Sequence, residues 1–202
     1  VIRANTELLS SEINDTNKHL EYIKQETERM ITLINKMLTL VRLDSTQIHE
    51  KNELFCIDEA LFDIIYPMES VAYEKSITIS TDIKEQMFIK GDKEQIQNIL
   101  SILLNNAISY TPTNGQIHIH ADLHSKKIYL DVANSGDPIP EDIKPRLFER
   151  FFRADEARQD NGHFGLGLSI ASSIVSSHSG KISVNRKNNM NIFSVVFPYH
   201  TY

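Results

Sequence analysis

At 202 residues, the chain has room for one large domain or for one domain with an appendage. Its hydrophobic content of 41% and charged content of 24% are those of a globular protein, and its net charge of −6 argues against a nucleic-acid partner. The single cysteine, Cys56, excludes an internal disulfide and fits a reducing compartment. No apolar run approaches the ~20 residues of a membrane helix, and no signal peptide is visible. Because the chain begins at Val1 without Met, we expect it to be part of a longer protein.

Residues 1–46 predict a helical hairpin. The segment contains no Gly and no Pro, and polar residues at 10–17 favour a turn between two helices. In the second helix, residues that step alternately by three and four positions predict a heptad seam. The seam consists of Leu20, Ile23, Thr27, Met30, Ile34, Met37 and Val41.

Four further apolar residues of this helix widen the stripe beyond a two-stranded seam, namely Ile31, Leu33, Leu38 and Leu40. The helix therefore needs partners on more than one side. Two chains that pair their hairpins into a four-helix bundle would provide them, which predicts a homodimer. The alternative is that the hairpin packs on the core of its own chain.

Residues 47–202 predict a separate domain of the α+β class. Alternating or apolar runs predict strands at 53–57, 76–83, 87–90, 116–124, 127–134, 181–187 and 192–198. Helical patterns fall at about 58–75 with Asp58 as N-cap, 92–110 with Asp92 as N-cap, 141–151 and 165–179. This mixed order indicates a two-layer sandwich, with one sheet and helices on one face.

The stretch from Asn161 to Ile170 is rich in glycine and then turns abruptly apolar. Gly162, Gly165 and Gly167 allow the backbone to approach a ligand closely. Because a helix begins directly afterwards, its unpaired N–H groups and dipole would suit a phosphate. A Gly-x-Gly pair can also be a plain turn, so the stretch alone does not decide for a nucleotide site.

Four separated segments follow one another in the chain, namely Gln97–Pro112, Asn134–Pro140, Leu147–Asp155 and Asn161–Ile170. Their order and spacing resemble those of the boxes of bacterial sensor histidine kinases, which share their ATP fold with gyrase, the chaperone Hsp90 and MutL. Gln97–Pro112 resembles the N box, Asn134–Pro140 the G1 box, Leu147–Asp155 the F box and Asn161–Ile170 the G2 box. The resemblance extends through the hairpin and so covers nearly the whole chain. It implies the Bergerat-type ATP fold, a mixed sheet with helices on one face, preceded by the hairpin.

The resemblance also implies a set of site residues for ATP and Mg²⁺. Asn106 corresponds to the family's magnesium ligand, Asn134 to the residue that accepts a hydrogen bond from the adenine amino group, and Arg153 to a position near the phosphates. Gly136 would lie against the base, while Tyr110 and Ile139 are either pocket walls or ordinary core. The remaining nucleotide contacts implied are Gly162, Gly165, Leu166, Gly167 and Leu168.

The lid over the phosphates is expected at about 154–164, disordered without nucleotide and anchored by the buried rings of Phe148, Phe151 and Phe152. Several positions depart from the family. Asn134 stands where most members have Asp, Ser109 where they have Lys, Ile102 where they have Asn, and Pro138 where they have a second glycine. His163 and Phe164 replace small residues in the lid. The lost Lys predicts slower chemistry rather than lost ATP binding.

None of the eight histidines has the flanking sequence of the family's phosphoacceptor, so we expect that residue just upstream of Val1. His118, His120 and His124 share one strand face with Asp122, which suggests either a metal site or a solvent-facing surface. The apolar residues of the opposite face favour the solvent-facing surface.

The resemblance implies a sensor histidine kinase that phosphorylates its histidine and passes the phosphate to an aspartate of a response regulator. Its chain would be the cytoplasmic portion of a membrane protein. A second hypothesis is a degenerate nucleotide-binding module that signals through dimer contacts or phosphatase activity, and the departures at Ser109, Ile102 and Asn134 motivate it. A third, an ATPase chaperone, is disfavoured by the hairpin before the nucleotide domain.

Overall fold

The computed structural model describes residues 17–44, 53–154 and 164–200. The helices are α1 (Asn17–Asp44), α2 (Ile57–Glu74), α3 (Lys93–Tyr110), a 3₁₀ helix (Lys144–Phe148) and α4 (Gly167–Ser177). The strands are β1 (Glu53–Cys56), β2 (Thr78–Ile83), β3 (Phe88–Gly91), β4 (Gln116–His124), β5 (Lys127–Asn134), β6 (Lys181–Lys187) and β7 (Met190–Pro198). Two predicted features lie outside the described residues. They are the first helix of the hairpin and most of the lid, residues 155–163, which include Gly162.

Five strands form one mixed sheet in the order β2-β4-β5-β7-β6. The strands β2 and β4 pair in parallel, and the other three pairs are antiparallel. A parallel pair needs a long crossover connection, which here contains β3 and α3. This places the C-terminus of α3 and the end of β5 at the same end of the sheet, since Ile117 at the start of β4 pairs with Asn134.

The strands β1 and β3 lie outside the main sheet and pair with each other in a two-stranded antiparallel sheet. The prediction of a single sheet was therefore wrong for these two short strands. Asp58 is also not the N-cap of α2, because the helix begins at Ile57 after an N-cap at Cys56. Its carboxylate instead accepts the backbone N–H groups of Gln86 (3.3 Å) and Met87 (3.2 Å), which tie the segment before β3 to α2.

The core lies between the inner face of the five-stranded sheet and the helices α2, α3 and α4. Alternation along β4 sends Ile117 and Ile119 into this core, while His118 and His120 lie on the outer face. As predicted, the outer histidines are partly exposed, and they contact the neighbouring strand β2. His118 Nδ1 lies 3.0 Å from Ser80 Oγ, and His120 Nδ1 lies 3.0 Å from Asp82 Oδ2.

The helix α1 packs on the α+β domain through one of its sides. Leu40 is 4% exposed within the core, and Leu33 and Leu43 pack against that core beside it. The predicted seam remains uncovered, with Met30 62% exposed and Ile34 52% exposed. One apolar side of α1 thus packs against this chain, whereas the other side is not covered by the residues that the structure describes. None of the described helices combines the length and apolar character needed to cross a membrane.

Candidate functional site

One face of α3 carries Ile102, Asn106 and Tyr110, which follow at intervals of four residues and so form a row. The helical rise of 1.5 Å per residue separates the ends of the row by about 12 Å. At one end, a Cβ built on Gly167 would lie 3.4 Å from Ile102 Cγ2. At the other, a Cβ built on Gly136 would lie 2.6 Å from the carbonyl oxygen of Tyr110. The start of α4 and the loop after β5 therefore flank Asn106 from opposite ends.

Asn106 is half-buried in the middle of this row. In the part of the chain that the structure describes, no residue forms a hydrogen bond with its side chain, whereas Asn105 beside it donates to the Ser101 carbonyl oxygen at 2.7 Å. The described residues contain no cluster of three or more His, Cys, Asp or Glu side chains suited to a metal. This donor set fits a hard cation that takes most of its ligands from phosphate and water, with one amide oxygen from the protein.

Two of the residues that depart from the family pattern, Ser109 and Ile102, lie on α3, and each side chain has a contact in the structure. Ser109 Oγ donates to the carbonyl oxygen of Asn105 at 2.7 Å, which satisfies its hydroxyl within the helix. Ile102 is half-buried and packs against the core at the start of α4. Neither position supplies a charge to the row.

Asn134 ends β5 and is only 2% exposed. Its Nδ2 donates to Thr111 Oγ1 at 3.4 Å, and the Thr111 hydroxyl in turn donates to the carbonyl oxygen of Ala107 at 2.6 Å. Thr111 is the C-cap of α3 and is itself buried. The floor of the site is thus a hydrogen-bonded chain that links the end of β5 to the last turn of α3.

The loop after β5 is held from the opposite side by β6 and β7. Asn191, which pairs with Asn134 across the sheet, donates through Nδ2 to the Asp137 carbonyl oxygen at 2.8 Å. Arg186 donates through Nη1 to the Gly136 carbonyl oxygen at 3.1 Å and to Asn191 Oδ1 at 2.9 Å. Two of these three bonds fix consecutive carbonyls of the loop, so Arg186 and Asn191 set the path of the loop after β5.

Tyr110 and Ile139 have different surroundings. Tyr110 is 46% exposed. Of the two interpretations given above for Tyr110, pocket wall or ordinary core residue, the second was therefore wrong. Ile139 is half-buried and packs against the core from the loop after β5. Tyr110 is thus a largely exposed residue at the end of α3, and Ile139 is a packed side chain.

The helix α4 begins without a side-chain cap, because its N-cap residue is Leu166. The first N–H groups of an α-helix have no partner within the helix, so those of Gly167, Leu168 and Ser169 are available to an anion. Leu166 itself is buried, and Leu168 is half-buried against the core, so both side chains serve packing. Any contact they make with a phosphate would come from the backbone.

A backbone hydrogen bond joins the two ends of the predicted lid. The N–H of Phe151 donates to the carbonyl oxygen of Gly165 at 3.0 Å. Gly165 has φ of +69°, and a Cβ there would lie 2.7 Å from the Phe152 carbonyl oxygen. This junction requires glycine both for its backbone angle and for its close approach.

The aromatic anchor is only partly as predicted. Phe148 is half-buried against the core, but Phe151 is 55% exposed with φ of +63°, so the expectation that all three rings are buried was wrong. Phe152 is half-buried beneath the guanidinium of Arg146, which lies 4.3 Å from its ring centroid. Arg153, which follows directly, is half-buried at the start of the lid.

Phe164 ends the predicted lid and packs towards α1. Its half-buried ring lines a shallow cleft with Gln25, Glu28, Arg29 and Thr32 of that helix. Lys36 Nζ lies 6.0 Å from the ring centroid, and burial lowers the pKa of this lysine. The bulky residue at this position thus joins the end of the lid to the helix α1.

Two family profiles match the chain. The family described as "Histidine kinase-, DNA gyrase B-, and HSP90-like ATPase" matches residues 91–201. The family described as "His Kinase A (phospho-acceptor) domain" matches residues 1–46. The sensor histidine kinase YkoH of Bacillus subtilis is 40% identical over 175 residues, which are 83% of this chain and 36% of that protein. The chain belongs to the bacterial sensor histidine kinases.

Other histidine kinases match over nearly all of the chain. The sensor protein DltS of Streptococcus agalactiae is 32% identical over 98% of this chain and 50% of its own length. The chain therefore spans about half the length of the curated relatives it matches. The structure of histidine kinase ThkA in complex with response regulator protein TrrA has a TM-score of 0.74 at 26% identity, over 98% of this chain and 57% of that one. Full-length ShkA in complex with AMPPNP shares the fold, with a TM-score of 0.86 at 22% identity over 100% of this chain and 43% of that one.

The family and the mixed-sheet fold predicted from the four boxes are confirmed. For this histidine kinase chain, sequence reasoning missed three polar residues around the end of β5, namely Thr111, Arg186 and Asn191. Thr111 lies within the segment that resembles the N box, and its place directly before Pro112 was a signal that the helix ends there. Arg186 and Asn191 lie far from the boxes in sequence, and the pairing of β7 with both β5 and β6 brings them to the loop.

Proposed function

We propose that this chain binds Mg²⁺-ATP along the α3 row and transfers its γ-phosphoryl group to a histidine. The observation that carries the proposal is the arrangement of Asn106 between the uncapped start of α4 and the loop held after β5. An elongated ligand with phosphates at one end and a base at the other fits these two ends. Phosphoryl transfer depends mainly on positioning and charge stabilisation, which such a row can supply.

The residue roles follow from this orientation. Asn106 would hold Mg²⁺ through its amide oxygen, and the ion would supply positive charge to the phosphates. The backbone N–H groups at Gly167 and Leu168 would bind phosphate, and Gly165 and Leu166 lie directly before them as further backbone contacts. Gly162, which lies outside the described residues, is kept as a proposed nucleotide contact. Arg153 lies at the start of this lid, where its guanidinium can stabilise charge on the transferred group.

The base end is proposed to lie among Asn134, Gly136, Tyr110 and Ile139. The Asn134 amide oxygen accepts the hydrogen bond of the adenine amino group. Gly136 admits the base close to the backbone, because any side chain there would collide with Tyr110 and Asn134. The exposed Tyr110 ring covers one side of the base, and the half-buried Ile139 forms a wall of the pocket from the loop after β5.

The uncovered seam of α1 supports the proposal of a homodimer. Besides Tyr22, seven large aliphatic residues on this helix are at least 40% exposed, which is unusual for a helix that does not pair. They are Ile23, Met30, Ile31, Ile34, Met37, Leu38 and Val41. A second copy that packs its own seam against this one would bury them in a four-helix bundle.

We further propose the division of the chain at about residue 46 into a helical dimerisation part (1–46) and an ATP-binding catalytic domain (47–202). The receiving histidine would lie before residue 1, and the phosphate would pass to an aspartate of a response regulator. The complex of the similar kinase ThkA with a response regulator supports that partner. The whole protein would place this part in the cytoplasm, attached to a membrane-bound sensor.

A magnesium-dependent ATP titration tests the proposal, with Asn106→Ala as the variant and Asn105→Ala as its control. ATP affinity should rise when Mg²⁺ is added to the wild type and to the control, because Asn105 is exposed and bonds only within its helix. The Asn106→Ala variant should lose most of this rise. No measurable ATP binding at millimolar concentrations in the wild type would overturn the proposed site.

The degenerate module is the second candidate, and the uncharged α3 row favours it. Ile102 and Ser109 are engaged in packing and in a helix hydrogen bond, so neither can assist the phosphates with charge. Such a module would bind ATP without phosphorylating histidine. ATP binding together with no acid-labile phosphate on the full-length protein would favour this second function over the first.

A further inference from the structure

The hydroxyl of Thr111 has a single proton, and its partner fixes where that proton goes. Thr111 Oγ1 lies 2.6 Å from the backbone carbonyl oxygen of Ala107, which can only accept. The hydroxyl therefore donates there. Towards any other neighbour, the Thr111 hydroxyl oxygen can only accept a hydrogen bond.

Asn134 faces this oxygen, with its Nδ2 3.4 Å from Thr111 Oγ1. A side-chain amide can present either its NH₂ group or its oxygen, and the hydrogen-bonding partners decide which. Because the Thr111 hydroxyl can only accept here, the amide must present NH₂ to it. The Oδ1 atom is thereby directed away from Thr111 as the acceptor that remains for a ligand.

The other buried amide of the site is fixed independently. Asn191 Oδ1 accepts from Arg186, which can only donate, and its Nδ2 donates to the Asp137 carbonyl oxygen, which can only accept. Asn191 therefore cannot turn to compensate for a change at Thr111. The orientation of the Asn134 amide rests on the Thr111 hydroxyl.

This orientation matters because adenine and guanine differ at the atom concerned. Adenine presents an amino donor at position 6, whereas guanine presents a carbonyl acceptor. An amide turned with its oxygen towards the base accepts from adenine and is repelled by guanine, and the reversed amide would do the opposite. A carboxylate at the same position could only accept, so it would need no orienting partner.

We propose that Thr111 is a specificity-determining positioning residue, which holds the Asn134 amide so that the site prefers adenine over guanine nucleotides. The proposal rests on the proposed nucleotide site and names how that site selects its base. It requires no contact between Thr111 and the nucleotide.

The test measures dissociation constants of Mg²⁺-ATP and Mg²⁺-GTP for the wild type and for Thr111→Val, Thr111→Ser and Asn134→Asp. The wild type should prefer ATP. Thr111→Val keeps the volume but removes the acceptor, so the ATP-to-GTP preference should fall by roughly two- to tenfold, the value of one hydrogen bond. Thr111→Ser retains the hydroxyl and should retain the preference.

The double variant Thr111→Val with Asn134→Asp separates orientation from structure. A carboxylate cannot be reversed, so the valine should leave the preference of the Asn134→Asp protein unchanged. An equal fall in both backgrounds would show that Thr111 acts through packing and would overturn the proposal. Equal ATP and GTP affinity in the wild type, or an unchanged preference in Thr111→Val, would overturn it as well.

Thr111→Cys serves if the valine variant does not fold, because sulfur is a poor acceptor in a hydroxyl's place. It should lower the preference in the same direction, and an undiminished preference would overturn the proposal. Failure of the underlying site has a different signature. In that case the wild type would bind neither nucleotide, whereas failure of the Thr111 proposal leaves ATP binding intact.

Discussion

Replacing Gly167 by alanine should weaken ATP binding without weakening the fold. Among the described residues, a Cβ at this position would meet only Ile102 Cγ2, at 3.4 Å, which is an ordinary van der Waals contact. Replacement of a glycine at a compatible helical position stabilises a protein by about 0.4–1 kcal/mol. The new methyl group would, however, stand where a phosphate approaches the uncapped start of α4. We expect ATP affinity to fall at least tenfold, about 1.4 kcal/mol.

Gly165→Ala provides the matched comparison, since it lies two residues earlier but is required by the fold. Its φ is +69°, and a Cβ would lie 2.7 Å from the Phe152 carbonyl oxygen and 2.8 Å from the Phe151 carbonyl carbon. Left-handed backbone strain alone costs about 1–3 kcal/mol. For a chain of this size, that corresponds to a fall in Tm of roughly 2–12 °C.

Thermal denaturation and ATP titration on both variants separate the two roles. Gly167→Ala should keep or raise the Tm and lower the ATP affinity, whereas the main effect of Gly165→Ala should be a lower Tm. If Gly167→Ala binds Mg²⁺-ATP as tightly as the wild type, the start of α4 is not the phosphate site. A large fall in the Tm of Gly167→Ala would show that the folded chain has no room for a methyl group at this position.

Three further outcomes follow from single residues. Ile34→Glu should convert a dimer to a monomer in sedimentation, because Ile34 is exposed on the α1 seam, while Asn35→Glu beside it should remain dimeric. Arg186→Met leaves the Gly136 carbonyl oxygen and Asn191 Oδ1 without their donor, so unfolding by urea should show a loss of about 1–3 kcal/mol, and ATP titration a weaker affinity. Burial, and then the hydrogen bond to Asp58, raises the pKa of the Cys56 thiol to about 11, so its alkylation by iodoacetamide should be slow at pH 7.5 and accelerate up to that pH.

The regular part of the fold was predictable from the sequence because its patterns are local. The strands β4 and β5 alternate strictly and are bounded by turn residues, and the structure places them at 116–124 and 127–134 as predicted. The helix α3 begins after Asp92, whose carboxylate accepts the Gln95 N–H at 3.2 Å. Alternation and capping residues determine such boundaries without reference to the rest of the chain.

What could not be predicted depends on partners distant in sequence. Alternation in 53–57 and 87–90 predicts strands but does not say that they pair with each other and not with the main sheet. Aspartate is a favoured N-cap residue, yet the Asp58 carboxylate accepts hydrogen bonds from the Gln86 and Met87 N–H groups instead of capping the helix. Local propensity yielded to tertiary contacts at these positions.

The candidate site divides in the same way. The motif residues Asn106, Asn134 and Gly167 could be found because each box has a recognisable local sequence. Arg186 could not, because its role depends on the register that brings β7 beside β5. Phe164 was unexplained within its own loop, and its reason emerged only from the packing of the lid end against α1.

Phosphorylation of the full-length protein with γ-labelled ATP and Mg²⁺ tests the central claim most directly. The account predicts a covalent label that is labile in acid and stable in base, as expected of phosphohistidine. The label should be lost in Asn106→Ala and retained in Asn105→Ala. An acid-stable label, or no label from a protein that binds ATP, would contradict the assignment of histidine kinase activity.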